Sequence, residues 1–474
     1  MPYLPLPSEF LEDLPATRGA YLVGGTVRDL LMQRRPTDID IVVEGSAASF
    51  ARTLAERVKA RAVPIGKGDL VTYRVTSRQV MIDVTALTGD SVESDLRRRD
   101  FTVNAIACHL YDHRLVDVLD GRRDIEARCI RMVSEKAFVD DPLRLLRAFR
   151  MAAVLGFSIA PETMAAIRRH GHRIHQPAGE RLGAEFVQLL SCPTSAGQIL
   201  AMSESGLLTR LIPEMQPMRD CRQNRHHDFD VYTHTLKAYA AVETCLQTSG
   251  DISAALGKRY RQAPFRKNTA AILKYAVLLH DIGKPPARKT DAAGDVHFHG
   301  HAQLSADLAE AVHNRLRLSN TEREQARTII INHGRPMDLM AAHKAQVLRR
   351  KGINRLYRDC DPWTPEVLLH ALGDTMGKKR DPDAAVATTL HFIRGLIDDY
   401  FRRYRPLAEG RPLMRGRDLM HHFDLQPSAL IGDLLKAVEE ERLAGRITTR
   451  AEAMAHAAAH LARLGRPSIP PEED

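Results

Sequence analysis

The stretch Leu22-Val23-Gly24-Gly25-Thr26-Val27-Arg28-Asp29, followed by Asp38-Ile39-Asp40-Ile41-Val42-Val43, decides how this chain of 474 residues is read. In a β-strand, side chains two apart share a face, so Asp38 and Asp40 project together while Ile41, Val42 and Val43 carry the strand into a core. Two carboxylates on one rigid edge suit Mg²⁺ and two-metal chemistry at phosphorus. Tyr21-Leu22-Val23 reads as a strand and Val27 to Leu31 as a helix, with Gly24-Gly25 as the turn between them. Backbone N–H groups in such a turn can cradle a triphosphate, and Arg28 adds a fixed positive charge. A lone Asp-X-Asp is more often a solvated turn, and a lone Gly-Gly an ordinary one. Their combination on a strand-turn-helix-turn-strand pattern is far more specific. Asp38 and Asp40 are therefore the expected catalytic, Mg²⁺-holding pair, and Gly24, Gly25 and Arg28 the expected nucleotide cradle.

Further down stand Arg98-Arg99-Asp100-Phe101-Thr102-Val103-Asn104-Ala105 and Asp140-Asp141-Pro142-Leu143-Arg144-Leu145-Leu146-Arg147, the latter running on through Arg150 to Leu155-Gly156-Phe157. A weaker match is Glu180-Arg181-Leu182-Gly183-Ala184-Glu185. With these motifs in order, the chain resembles the class II tRNA nucleotidyltransferase and bacterial poly(A) polymerase family of the polymerase β superfamily. The resemblance implies a base-reading helix in which Asp141 and Arg144, three apart, face one way. Cytosine and adenine both present an exocyclic amino donor beside a ring-nitrogen acceptor, which a carboxylate and a guanidinium match. Uracil and guanine would set a carbonyl against the carboxylate, at a cost of about 1–3 kcal/mol. Arg147 and Arg150 continue at three-residue steps, and the family places such arginines and the counterpart of Arg99 near the nucleotide; a solvated basic stripe is the alternative. The family commonly has Glu where Asp140 stands. Arg97 and Arg98 are read as surface charge or RNA contacts. Asp83, in Val80-Met81-Ile82-Asp83-Val84, stands either as a third acidic residue or as a solvated strand-edge carboxylate.

Between Val84-Thr85 and Asp95 only Thr88 to Ser94 reads as loop. Relatives that add a terminal adenosine carry a longer flexible loop here, so the resemblance implies CC addition to a tRNA 3′ end from CTP, with a separate A-adding enzyme acting on the product. Full CCA addition, using ATP as well, is the next reading.

A second constellation is His234, His280-Asp281-Ile282-Gly283-Lys284-Pro285, His299-Gly300-His301, His333 and Asp374. It resembles an HD-type phosphohydrolase domain. A His-Asp pair ending an apolar helix, with a distant His before it and an Asp after it, supplies nitrogen and oxygen ligands for a divalent ion such as Mg²⁺, Mn²⁺ or Ni²⁺. The matched ligands are His234, His280, Asp281 and Asp374. His301 and His333 are candidates for a second ion or a phosphate, and Lys284 for phosphate neutralisation, against packing roles of equal weight. His226, His227, His421 and His422 are read as ordinary surface histidines. The full set implies a metal-dependent phosphohydrolase side activity.

The expected fold class is α+β: a polymerase β-type nucleotidyltransferase head (1–125), a largely helical neck (126–215) with helices over Asp141–Val154 and Pro161–Arg169, an HD domain (220–380) and a helical C-terminal region (381–474). Gln216 to His227 reads as the polar link into the histidine-rich domain, and Lys378-Lys379-Arg380-Asp381-Pro382 as the turn that leaves it. The C-terminal segment, with a helix over Ile431–Leu443, also resembles that of the family, which implies a part in holding tRNA, and Pro470 to Asp474 is expected to be disordered. A formal charge of +9 favours a polyanionic partner, and 5% aromatic content argues against broad base stacking. Six cysteines with no Cys-X-X-Cys spacing suggest neither a disulfide framework nor a zinc knuckle. Without a signal-like segment or a long apolar run, a soluble, cytoplasmic enzyme with no membrane partner is expected. A poly(A) polymerase, and an HD hydrolase with an RNA-binding head, are the competing readings.

Overall fold

A computed structural model describes residues 17–66, 71–76, 81–223, 228–261, 263–379 and 383–464. The chain divides into two compact units, the first ending at Pro213 and the second beginning at Glu214.

The first unit is organised by a seven-stranded sheet of order β3-β4-β5-β2-β1-β6-β7. Its strands are β1 (Ala20–Val23), β2 (Asp38–Val43), β3 (Ala62–Ile65), β4 (Thr72–Thr76), β5 (Met81–Ala86), β6 (Ala107–His109) and β7 (Leu115–Val116). Central β2 lies antiparallel to β1 and parallel to β5, with Val23 opposite Asp40 and Asp40 opposite Asp83. Ile39, Ile41, Val43, Ile82 and Val84 pack on one face beneath helix α2 (Ala47–Arg57), whose Phe50, Ala51, Leu54 and Ala55 are buried. Tyr21, Val23 and Val42 pack on the other face with Val92 and Leu96 of a short helix, α3 (Val92–Leu96). By strand alternation and register, Asp38, Asp40 and Asp83 project from this second face. Helix α1 (Gly25–Leu31) follows β1 directly.

Two expectations shift at helix starts. The loop expected over Thr88–Ser94 is shorter, because Ser91 caps α3 by accepting from the Ser94 N–H at 3.2 Å, which makes Val92, Glu93 and Ser94 helical. The helix expected to read the base, α4, spans Leu143–Leu155 rather than starting at Asp141. Pro142 disfavours helical geometry in the residue before it, and Asp141 is extended at φ −141°, ψ 94°. Gly156 closes α4 in the left-handed conformation at φ 71°. Helix α5 (Gly179–Ser191) carries the Glu180 to Glu185 motif and packs against α4.

The second unit is helical apart from a two-stranded hairpin of Lys289–Thr290 and Val296–His297. Helix α6 (Val231–Gln247) carries His234, α7 (Ala263–Leu279) leads into His280-Asp281, α8 (His301–Leu316) begins at His301, and α9 (Asn320–Asn332) precedes His333. Helix α10 (Arg350–Cys360) is followed by α11 (Thr364–Lys378), which carries Asp374. Lys378, expected in a turn, is therefore the last residue of α11. Arg380 to Pro382, His226, His227 and Pro470 to Asp474 lie outside the described residues. At the end of the chain, helices Gly416–Phe423, α12 (Ala429–Leu443) and α13 (Arg450–Arg463) close around Leu419, Leu434, Val438, Ala453 and Leu461. His421 and His422 lie in the first of these three helices. Among the described residues no helix is long and apolar enough to cross a membrane.

Candidate active site and metal centre

In the head, the sharp turn after β1 works only with glycine. Gly24 sits at φ 66°, ψ −134°, and a Cβ there would lie 3.1 Å from Arg99 Nη1 and 3.4 Å from Asp40 Oδ2. That single position brings the Gly24 turn, Arg99 and Asp40 together. Thr26, which sequence reasoning passed over, ties α1 to β2: its Oγ1 donates to Asp38 O at 3.2 Å and accepts from the Asp40 N–H at 2.8 Å. Asp38 is exposed and Asp40 half-buried. Burial raises the Asp40 pKa; Arg99 opposes the rise, and Asp83 and Asp38 add to it. Asp83 shares the face, but both its oxygens accept from Arg74, at 2.8 Å each. Arg99 donates to Asp95 Oδ2 at 3.1 and 2.8 Å. Arg97, Arg98 and Asp140 are exposed.

Arg28 bonds Asp29 Oδ1 at 2.9 Å and donates to Asn104 Oδ1 at 2.6 Å. Asn104 Nδ2 donates to Asp100 Oδ1 at 3.1 Å, and Asp100 Oδ2 receives Arg147 Nη1 at 3.3 Å. Arg150 in turn is held by Glu185 of α5. Arg147 and Arg150, expected near the nucleotide, each give one guanidinium N–H group to a carboxylate, Asp100 and Glu185. These partners are far away in sequence, so neither was visible in the helical spacing. Despite burial, Arg147 and the Asn104 and Phe101 donors hold the Asp100 carboxyl below the usual range. Asp141 Oδ1 accepts from the Leu143 N–H at 3.3 Å and its Oδ2 from Arg181 at 2.8 Å, while Arg144 reaches Ala137 O at 3.3 Å. Carboxylate oxygens on a strand edge are hard ligands that suit Mg²⁺.

In the second unit, close helix packing builds a histidine cluster. A Cβ on Gly373 would lie 2.3 Å from Val242 Cγ2, and one on Gly377 would lie 2.8 Å from Ala238 N, so α11 can approach α6 only with glycine at both positions. That approach sets His234 Nε2 2.8 Å from Asp374 Oδ1. Gly283 likewise lets the His-Asp turn rest on α8, where its N–H donates to Ser305 Oγ at 2.9 Å. Ligand atoms converge within 4.8 Å in two sets, His234 with His280 and Asp374, and His280 with Asp281 and His333.

His280, His301 and His333 each direct Nδ1 at a carbonyl three residues back, at 2.8, 2.7 and 2.7 Å. A carbonyl only accepts, so Nδ1 carries the hydrogen and a neutral ring offers its Nε2 lone pair to the site, the tautomer a metal requires. His301 Nε2 and His333 Nε2 then face each other at 3.2 Å. His280 Nε2 and both Asp281 oxygens are buried with no donor or acceptor in hydrogen-bonding geometry, although Asp281 Oδ2 lies 3.0 Å from His280 Nε2 and 2.7 Å from Lys284 Nζ. Facing lone pairs and orphaned buried oxygens fit a divalent cation. Burial works against a charged His280, but Asp281 and Asp374 outweigh it and carry its pKa up to about 9. Burial takes His333 down to about 3, with the His280 charge adding to the fall. Sequence reasoning missed two neighbours. Lys378 Nζ sits 2.7 Å from Asp374 Oδ2, and His370 packs edge-on against His280 with ring centroids 4.7 Å apart. Their spacing on α11, one turn either side of Asp374, was the available signal. A cavity of about 350 Å³, lined by Lys284, Phe298, His301, His333, Asp374 and Lys378, opens onto the cluster.

Fold and sites together define a polymerase β-type nucleotidyltransferase head with a helical neck, joined in one chain to an HD domain. Family profiles agree. Residues 20–131 match the poly A polymerase head domain, 156–219 the probable RNA and SrmB-binding site of polymerase A, and 231–383 the HD domain. The A-adding tRNA nucleotidyltransferase of Deinococcus radiodurans is 33% identical over 93% of this chain and 95% of its own length. The CC-adding tRNA nucleotidyltransferase of a Synechocystis species is 30% identical over 92% of each chain. The solved Thermotoga maritima CCA-adding enzyme complexed with tRNA shares the fold, with a TM-score of 0.62 at 20% identity over 94% of this chain and 91% of that one. The chain belongs to the tRNA nucleotidyltransferase family.

Proposed function

We propose that this chain adds CMP residues to the 3′ end of tRNA from CTP and stops after CC. The observation that carries the transfer reading is the meeting of Gly24, Arg99 and Asp40 at the end of β1, beside Asp38 on the same sheet face. The terminal 3′-oxygen of the RNA attacks the α-phosphorus of CTP, and the bond to the departing pyrophosphate breaks. Asp38 and Asp40 would hold Mg²⁺, which when bound would supply two-metal charge neutralisation for this displacement. Gly24, Gly25, Arg28 and Arg99 seat the triphosphate. Asp141 and Arg144 read the base, and Arg147 and Arg150, held by Asp100 and Glu185, are the further nucleotide-binding residues of the same helix.

The CC reading rests on the connection between Ala86 of β5 and Val92 of α3, which leaves only Leu87 to Ser91 to act as a switching loop. A second reading, addition of the terminal A, is favoured by the 33% identity to an A-adding relative. One assay separates them. tRNA transcripts ending before CCA, after C and after CC are incubated with Mg²⁺ and CTP, ATP or both, and their ends are sequenced. Extension through CC alone supports the first reading, and A added only to the CC-ended transcript supports the second. Complete CCA makes this a one-enzyme system with no separate A-adding partner, and long A tails would move it to poly(A) polymerase.

For the HD domain we infer phosphoester hydrolysis. His234, His280, Asp281 and Asp374 would hold Mg²⁺, Mn²⁺ or Ni²⁺, which supplies water activation when bound. Lys284 and Lys378 place ammonium charge at the cavity where phosphate oxygens would lie. Hydrolysis of a 2′,3′-cyclic nucleotide with each added metal tests this, and no turnover with any of them would refute it.

A further inference from the structure

Elsewhere in the second unit, Arg403, Arg405 and Arg446 each pair with a carboxylate within five residues, on Asp399, Glu409 and Glu441. Between Lys344 and Arg358 the chain carries cations and no acid. Lys344, Arg349, Arg350, Lys351, Arg355 and Arg358 are all exposed, with no Asp or Glu among them. Helix α10 buries Asn354, Leu356, Tyr357 and Cys360 within the unit and turns its cations outward.

The nearby acids are too few for these charges. Lys351 and Arg358 share the single carboxylate of Glu440, at 2.8 and 3.3 Å, and Arg350 reaches Asp399 at 2.9 Å. Arg358 also contacts its neighbour Asp359 at 3.2 Å. Lys344, Arg349 and Arg355 make no side-chain hydrogen bond or ion pair among the described residues. Lys351, Arg355 and Arg358, four and three residues apart, form a row about 10 Å long. They line a small cleft with Asn354, Glu440 and Leu443.

We propose that this outer face of α10 and the turn before it is a landing surface for the phosphate backbone of RNA, separate from the nucleotidyl-transfer site. Assigning RNA rests on the tRNA reading above. The row offers rigid guanidinium donors without an aromatic platform, which suits backbone phosphates rather than bases. A membrane is disfavoured because the apolar side of α10 is already buried in the unit.

The test compares full-length protein with an Arg349→Gln/Arg355→Gln variant and a charge-matched Arg405→Gln/Arg446→Gln control. tRNA binding is followed by fluorescence anisotropy across a KCl series. Unpartnered exposed side chains can be neutralised without disturbing the fold, which the melting temperature checks. Each lost phosphate contact should flatten the plot of log K against log salt by about 1, so the first variant should lose about 2 and the control little. CMP transfer at saturating tRNA should keep its kcat. An unchanged slope, or equal loss in the control, would overturn the surface. If binding responds as expected but no nucleotide joins any tRNA end, the transfer reading fails and the surface stands.

Discussion

At the scale of single residues, Asp40 shows how burying a carboxylate costs stability. Its folded pKa is raised, so the folded protein gains from the protonated form, and that gain is lost as pH climbs through the raised value. At neutral pH the ionised carboxylate is therefore a net burden while no cation accompanies it. Asp40→Asn should melt higher than the parent at pH 7 in EDTA, the difference should vanish below the ordinary carboxylate range, and nucleotide transfer should be abolished. Thermal melts at several pH values check the first part; a lower melting temperature for the variant at pH 7 would show that Asp40 is neutralised more completely than its surroundings suggest. His280 carries the complementary prediction. With a pKa of about 9 it holds a proton at neutral pH that a metal must displace. Binding of Mn²⁺ should therefore release protons, visible in calorimetry as a heat that depends on the ionisation enthalpy of the buffer, and less so in His280→Ala.

At the scale of elements, the Gly373-x-x-x-Gly377 seam between α6 and α11 governs whether His234 and Asp374 can meet at all. A Cβ at Gly373 would sit 2.3 Å from Val242 Cγ2. Gly373→Ala should destabilise the second unit by about 1–3 kcal/mol and weaken metal uptake, whereas Gly395→Ala, with open space around it, should do neither. Chemical denaturation and metal titration read the two effects. Elements also show how far sequence reaches. The strand-turn-helix at Gly24, the Asp-Ile-Asp strand and the His-Asp turn were legible because each is a local rule of spacing. The displaced start of α4 was legible too, in Asp141-Pro142, as was the capping Ser91 that shortens the loop. The partners of Arg147 and Arg150 were not, because pairing with Asp100 and Glu185 depends on which helix packs beside which. The Gly373 seam hid for the same reason: close approach is a property of two helices, and only one of them carries the glycines.

At the scale of the whole molecule, the two groups of candidate side chains fall in different compact units, and each has its own core and its own polar network. The proposed transfer residues are held by the central sheet and by the chain of contacts from Arg28 through Asn104 and Asp100 to Arg147. The histidine cluster is held by helix packing around α11. Sites supported independently should fail independently. Asp281→Asn keeps the shape of a fully buried side chain while removing the charge that faces Lys284 and His280, so it should abolish metal-dependent hydrolysis and weaken metal binding by at least about tenfold, the scale on which disturbed ligand shells act. CMP transfer to tRNA by the same variant should stay within about twofold of the parent. Asp38→Asn should do the reverse. The paired measurement is steady-state transfer and cyclic-nucleotide hydrolysis on each purified variant, with melting temperatures as a control. If Asp281→Asn lowers both activities in proportion while the first unit still melts normally, the HD domain takes part in holding the RNA for transfer.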